Sequence, residues 1–291
     1  IFVNSCNKNI LIKGNKLKKE FPLIYYVGRG SEKNKKPIFS EFSWTKNKKS
    51  KKITLIGKGV SFDTGGLNLK VGSGMSLMKK DMGGAANCIG LSKMLIDNNI
   101  NIDLTLLLPL VENSISEKSM RPSDIIKSRS GIFVEISDTD AEGRLILSDA
   151  LSYACEKKPD LIIDMATLTG ASRVALGTDI PSFFTNDELI ATKLYQCSVK
   201  TGDPLWRLPL WKNYQTQLNS EHADLKNIGN SAFGGAITAA LYLEKFVDNS
   251  IPWIHVDLMA WNINENLTSY IGGEAMGIRA LFKLISDIAE I

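Results

Sequence analysis

The segment SDTDAEGRLILSDA places Asp138, Asp140, Glu142 and Arg144 at alternate positions. In extended backbone, residues i, i+2 and i+4 share one face, so the three carboxylates would crowd together. Like charges at that spacing stay ionised only with compensation, and divalent cations supply it. Two other segments offer matching groups. GKGVSFDTGGLNLK contributes Lys58, Asp63 and Lys70 among Gly57, Gly59, Gly65 and Gly66, and MKKDMGGAAN contributes Asp81 just before a helical pattern. Each segment alone also has a plain structural explanation: a solvated acidic turn, a glycine-rich surface turn, and a helix N-cap.

Donor counts narrow the chemistry. The chain has two histidines, His222 and His255, and lacks HExxH, so any metal site must be built mainly from carboxylates. Asp63, Asp81, Asp140 and Glu142 could hold two cations through bridging oxygens, and such pairs work at about 3.5–4 Å separation. A lysine joins them only as a neutral amine, because an ammonium has no lone pair. His255 falls on an apolar strand pattern and reads as structural. His222, in NSEHADL, reads equally as a surface or a supporting residue. The phosphate-loop pattern GxxxxGK[ST] is absent. On composition alone, Lys70 and Arg144 could still serve phosphoryl transfer at a two-metal phosphoesterase site.

The elements that must position these groups alternate between strand and helix. Buried strands are expected in KKITLIGKGV, INIDLTLLLPL, IFVEIS, DLIIDMA and PWIHVDLMA, and a further strand in FPLIYYVG. Helices are expected over 83–99, 145–157, 187–198, 234–247 and 274–289. Several strands are apolar on both faces, as when helices cover a sheet. The expected class is therefore α/β, a mixed central sheet covered by helices on both faces, with function at the carboxyl ends of its strands. Residues 1–52 read as a basic lead-in packed on or preceding a catalytic domain, 53–291.

Composition sets the outer bounds. The 291 residues include 44% hydrophobic ones, with a mean hydropathy of −0.04, which excludes an intrinsically disordered chain. No run of about 18 uncharged apolar residues exists, which excludes a spanning helix. The net charge of +4 hides an asymmetry: residues 1–52 hold 14 Lys and Arg against 3 Glu. A nucleic-acid-binding scaffold is one reading of that segment, but few aromatics interleave with the lysines, and solubilising surface loops are the simpler account. Cys6, Cys88, Cys155 and Cys197 form no CxxC pair and read as free thiols in a reducing compartment. The start, IFVNSCNKN, has no initiator Met and no signal-peptide pattern, as expected of a piece of a longer chain.

Together the segments GKGVSFDTGG, Lys70, LMKKDMGGAAN, DTDAEGRLILSDA and MATLTGA resemble the leucyl aminopeptidase (cytosol aminopeptidase) family of two-metal exopeptidases, from about Tyr26 onward. The resemblance implies that Lys58, Asp63, Asp81, Asp140 and Glu142 ligate two divalent ions, Zn²⁺ or Mn²⁺, with Asp63 and Glu142 bridging. It makes Lys70 and Arg144 the catalytic basic residues, with a bicarbonate or similar anion beside Arg144 as proton shuttle. It places Met78, Thr167 and Gly170 on the pocket for the first side chain. Met259 and Asn262, in the departing stretch HVDLMAWNIN, fall near positions that complete that pocket.

The implied activity is release of the N-terminal residue, leucine-like residues included, from peptides with a free N-terminus by metal-activated water. The implied setting is cytoplasmic, as a hexamer built from a dimer of trimers. The family usually carries an additional N-terminal domain, and Asn where this chain has Asp138.

Overall fold

The computed structural model describes residues 6–47, 50–265 and 269–290. Its strands are β1 (Lys8–Lys13), β2 (Ile38–Thr45), β3 (Lys51–Gly57), β4 (Gly59–Asp63), β5 (Ile102–Asn113), β6 (Ile125–Lys127), β7 (Phe133–Glu135), β8 (Leu161–Ala166), β9 (Ser182–Thr185), β10 (Trp206–Arg207), β11 (Leu225–Lys226), β12 (Trp253–Asp257), β13 (Trp261–Asn262) and β14 (Gly272–Gly273). Its α-helices are α1 (Gly14–Glu20), α2 (Pro22–Gly28), α3 (Gly83–Asp97), α4 (Glu142–Glu156), α5 (Gly170–Leu176), α6 (Glu188–Thr201), α7 (Gly235–Glu244) and α8 (Ile278–Ala289).

The main sheet runs β1-β2-β5-β3-β8-β12-β9-β10, with β4 also on β5. It is mixed: β5, β3, β8 and β12 are parallel neighbours, while β1, β2 and β9 join antiparallel. The central strands carry apolar side chains on both faces. Ile56, Ile162 and Ala166 pack with α1, α2, α4 and α7, whereas Ile53, Leu55, Ile163 and Met165 pack with α3, α6 and α8. The four parallel strands end at one edge, and that edge receives the polar loops. A second sheet, β11-β7-β6, lies off the main one.

Three sequence expectations change here. FPLIYYVG is the helix α2 rather than a strand: Pro22 opens it, and the buried Asp149 carboxylate accepts from the Leu23 and Ile24 amides at 2.7 and 3.3 Å. IFVEIS supplies only the three-residue β7, outside the main sheet. Helix α4 begins at Glu142 rather than Leu145, so Glu142 and Arg144 diverge as helical neighbours do. In the basic lead-in, β1 and β2 extend the main sheet as its outer strands. No helix among the described residues is long and apolar enough to cross a membrane.

Candidate active site

Lys58 sits between β3 and β4, where its amide donates to Met165 O and its carbonyl accepts from Ala85 N, fixing the turn between two neighbouring elements. Its side chain crosses Gly143 so closely that a Cβ there would stand 2.6 Å from Cε, and any other residue would push the lysine from its present place. Asp63 ends β4. Asp81 follows the short turn Met78–Lys80, and Asp140 and Glu142 lie on the approach to and first turn of α4. Asp81 does not cap α3; Met82 holds that position without a side-chain bond, and Asp81 turns to Lys58 and Thr167 instead.

These side chains converge. Oxygens of Asp63, Asp140 and Glu142 lie within 4.8 Å of one another. Lys58 Nζ is 2.8 Å from Asp81 Oδ1 and 2.8 Å from Glu142 Oε1. Lys70 Nζ is 2.9 Å from Asp63 Oδ2 and 2.6 Å from Asp140 Oδ1. The carboxylates face a cavity of about 560 Å³, whose walls also include Met78, Arg144, Thr167 and Gly170. Met259 and Asn262 are not on that wall: Met259 is buried in the core, and the Asn262 amide binds Ser269 Oγ and Tyr270 O. Ala260, beside them, packs against Gly83, as does Thr167.

The donor set fits divalent cations. Asp81 Oδ2 is buried with no hydrogen-bond partner, and Asp140 Oδ1 and Glu142 Oε1 meet the lysines at ion-pair distance without hydrogen-bond geometry. Buried carboxylate oxygens are rarely left so. Burial opposes charge on Lys58 and Lys70, but the surrounding carboxylates outweigh it and hold both ammonium groups above their ordinary range. Burial and the neighbouring carboxylates push Glu142 well up, and Asp140 rises to about 6. Asp63 is held low despite its burial, by Lys58 and Lys70. This is the pattern of an anionic cluster with too little positive charge of its own.

The sequence profile of the cytosol aminopeptidase family, catalytic domain, matches residues 4–282. This chain belongs to the cytosol aminopeptidase family. Among relatives, it is 46% identical over 222 residues to a probable cytosol aminopeptidase of Persephonella marina, covering 76% of this chain and 45% of that protein. It is 45% identical over 257 residues to the one of Chlamydia abortus, covering 87% and 51%. The crystal structure of cytosol aminopeptidase from Coxiella burnetii superposes with a TM-score of 0.94 at 48% identity, covering 96% of this chain and 61% of that one. The bottromycin maturation enzyme BotP in complex with Mn gives 0.91 at 33% identity, covering 97% and 62%. The chain thus spans about half the length of the curated relatives it matches.

Within this cytosol aminopeptidase domain, two buried asparagines support the site. Asn113, at the end of β5, donates to Asp63 Oδ1 and to Thr139 O, at 2.8 and 3.1 Å. Asn227 accepts from the Ser137 and Asp138 amides, donates to Asp138 O, and offers its carbonyl to Arg144 at 2.9 Å. Asp138 accepts from the Asp140 amide at 2.8 Å and so shapes the loop that carries Asp140. Sequence reading missed both asparagines, because each acts across 26 to 90 residues and no local pattern marks them. His255 is buried beside Asp164, Nδ1 at 2.6 Å from Oδ1, and takes no part in the cavity; His222 is exposed.

Proposed function

We propose that this domain is a two-metal aminopeptidase that releases the N-terminal residue from peptides. One observation carries the reading: carboxylates of Asp63, Asp140 and Glu142, from two separate loops, meet within 4.8 Å, and Asp81 of a third loop, its Oδ2 unpartnered, lines the same 560 Å³ cavity. Lys58, Asp63, Asp81, Asp140 and Glu142 would hold the ions, Zn²⁺ or Mn²⁺, Lys58 after losing its proton. Bound there, the ions supply Lewis acidity, which acidifies water and polarises the scissile carbonyl.

The chain's own residues do the rest. Lys70, whose partners Asp63 and Asp140 would hold the ions, would then be available as a donor for charge developing on the carbonyl oxygen. Arg144 is held by Asn227 O with its Nε unpartnered, which suits it to bind a small anion such as bicarbonate as the proton carrier. Met78, Thr167 and Gly170, on the cavity wall, would contact the first side chain. A free α-amine has a lone pair to offer the site and an internal peptide nitrogen does not, so only the chain's first residue is released.

The setting we infer is cytoplasmic, with assembly as a hexamer, a dimer of trimers. Residues 1–52 serve as a structural margin to the catalytic unit 53–291. The test uses chelator-stripped protein with each cation added back, assayed on aminoacyl amides, on their N-acetylated forms and on a phosphate ester. Metal-dependent hydrolysis of the free-amine substrates alone is expected. Hydrolysis of the phosphate ester and not of the amides would replace this reading with a phosphoesterase.

A further inference from the structure

Lys80 is only 4% exposed, yet its ammonium makes no hydrogen bond or ion pair with the described residues. Its neighbour Lys79 is accounted for, 5.2 Å over the Trp261 ring. Lys80 lines the same cavity wall as Met78, Thr167 and Gly170, and so does Arg173, one turn along α5 from Gly170. Arg173 donates to Thr169 O at 2.9 Å and pairs with no carboxylate among the described residues. The nearby anions are committed elsewhere. Asp81 gives its Oδ1 to Lys58 and Thr167 while its unpartnered Oδ2 belongs to the carboxylate cluster that would hold the ions, and Asp257 is taken by the Leu168 and Thr169 amides and the Thr169 hydroxyl. Two cations on one sheltered wall, neither in an ion pair among the described residues, form an incomplete site, because a charge withdrawn from water is costly until it is paired. Divalent ions in the adjacent carboxylate cluster would make the wall more cationic still.

We infer that Lys80 and Arg173 recognise the side-chain carboxylate of a substrate whose N-terminal residue is acidic, glutamate or aspartate. The inference rests on the aminopeptidase reading above and names the substrate class of that same site. The apolar part of the wall, Met78, takes the methylenes, and the two cations take the carboxylate. The isosteric amide of the same substrate would leave both cations unpaired, which is the discrimination a polar pocket provides.

The test compares kcat/KM for glutamyl and glutaminyl anilides with Mn²⁺-loaded protein, and the thermal shift given by free L-glutamate against L-glutamine. Wild type should favour glutamyl over glutaminyl by about tenfold or more. Lys80→Met should bring that ratio to about one, and Lys80→Arg should restore it. A wild-type ratio of one or less, or a ratio that Lys80→Met and Arg173→Gln both leave intact, overturns the inference. Should Lys80→Met fail to fold, the wild-type ratio and the Arg173→Gln ratio decide. If no aminoacyl substrate is cleaved with any cation, the aminopeptidase reading fails instead. The thermal shift then decides the anion site on its own: a larger shift with glutamate, lost in Arg173→Gln, upholds it, and equal shifts sink it.

Discussion

At its amino end α4 sends Glu142 and Arg144 into the cavity; from its middle on it sends Asp149 and Tyr153 against the amino-terminal segment and Glu156 to Arg129. Both regions bury charge, and they finish it differently. Asp149 accepts from the amides of Leu23, Ile24 and Arg129. Glu41 accepts from Tyr153 Oη at 2.6 Å and Lys157 Nζ at 2.7 Å. Arg129 is bidentate to Glu156 and donates to Glu20 O. Around Glu142, by contrast, Asp81 Oδ2, Glu142 Oε1 and Arg144 Nε lack hydrogen-bond partners. The satisfied charges tie α1, α2 and β2 to the core. The unsatisfied ones mark where a ligand completes the structure.

The comparison can be broken at either end, and the largest effect belongs to the cavity. Lys70→Ala should lower kcat by about 10²–10³ while metal content, read by elemental analysis, stays near wild type. An unchanged kcat would remove Lys70 from the chemistry. Asp149→Ala should act oppositely: a loss of about 3 kcal/mol in urea unfolding, from three stranded amides, with kcat/KM nearly intact. Cation binding should raise the melting temperature of stripped protein by mass action, about 2.7 kcal/mol at a hundredfold excess over Kd. That rise should vanish in Asp63→Ala and persist in Asp149→Ala.

Glu41 sharpens the comparison through pH. Burial opposes its ionisation, but Lys157 and Tyr153 outweigh that and hold it below the ordinary carboxylate range. A depressed carboxylate stabilises the fold above its unfolded pKa, and that contribution is lost as pH falls through the folded one. Glu41→Gln should therefore cost about 1–2 kcal/mol at pH 7, and the difference from wild type should close as pH falls into the acid range. The smallest effect is expected at Glu156, which is half exposed: Glu156→Gln should cost under about 1 kcal/mol, less in high salt.

The contiguous motifs made much of this protein legible. Glycine and carboxylate spacing in 57–66, 81–85 and 138–144 identified the converging loops, and two-faced apolar strands identified the covered sheet, because both signals are local. Other features depend on partners far along the chain. FPLIYYVG has a strand-like composition, yet it is helical because Asp149, some 126 residues away, accepts its first amides. Asp81 sits where a cap belongs, yet Lys58 and Thr167 draw it into the cavity. Lys80 reads as one more solvated lysine in sequence; only the packed structure buries most of it and sets it on the same cavity wall as Arg173, outside any ion pair among the described residues. Residue type and spacing decided which groups were available for chemistry. Tertiary packing decided which of them went unsatisfied, because desolvation and pairing are properties of the assembled interior and not of the chain.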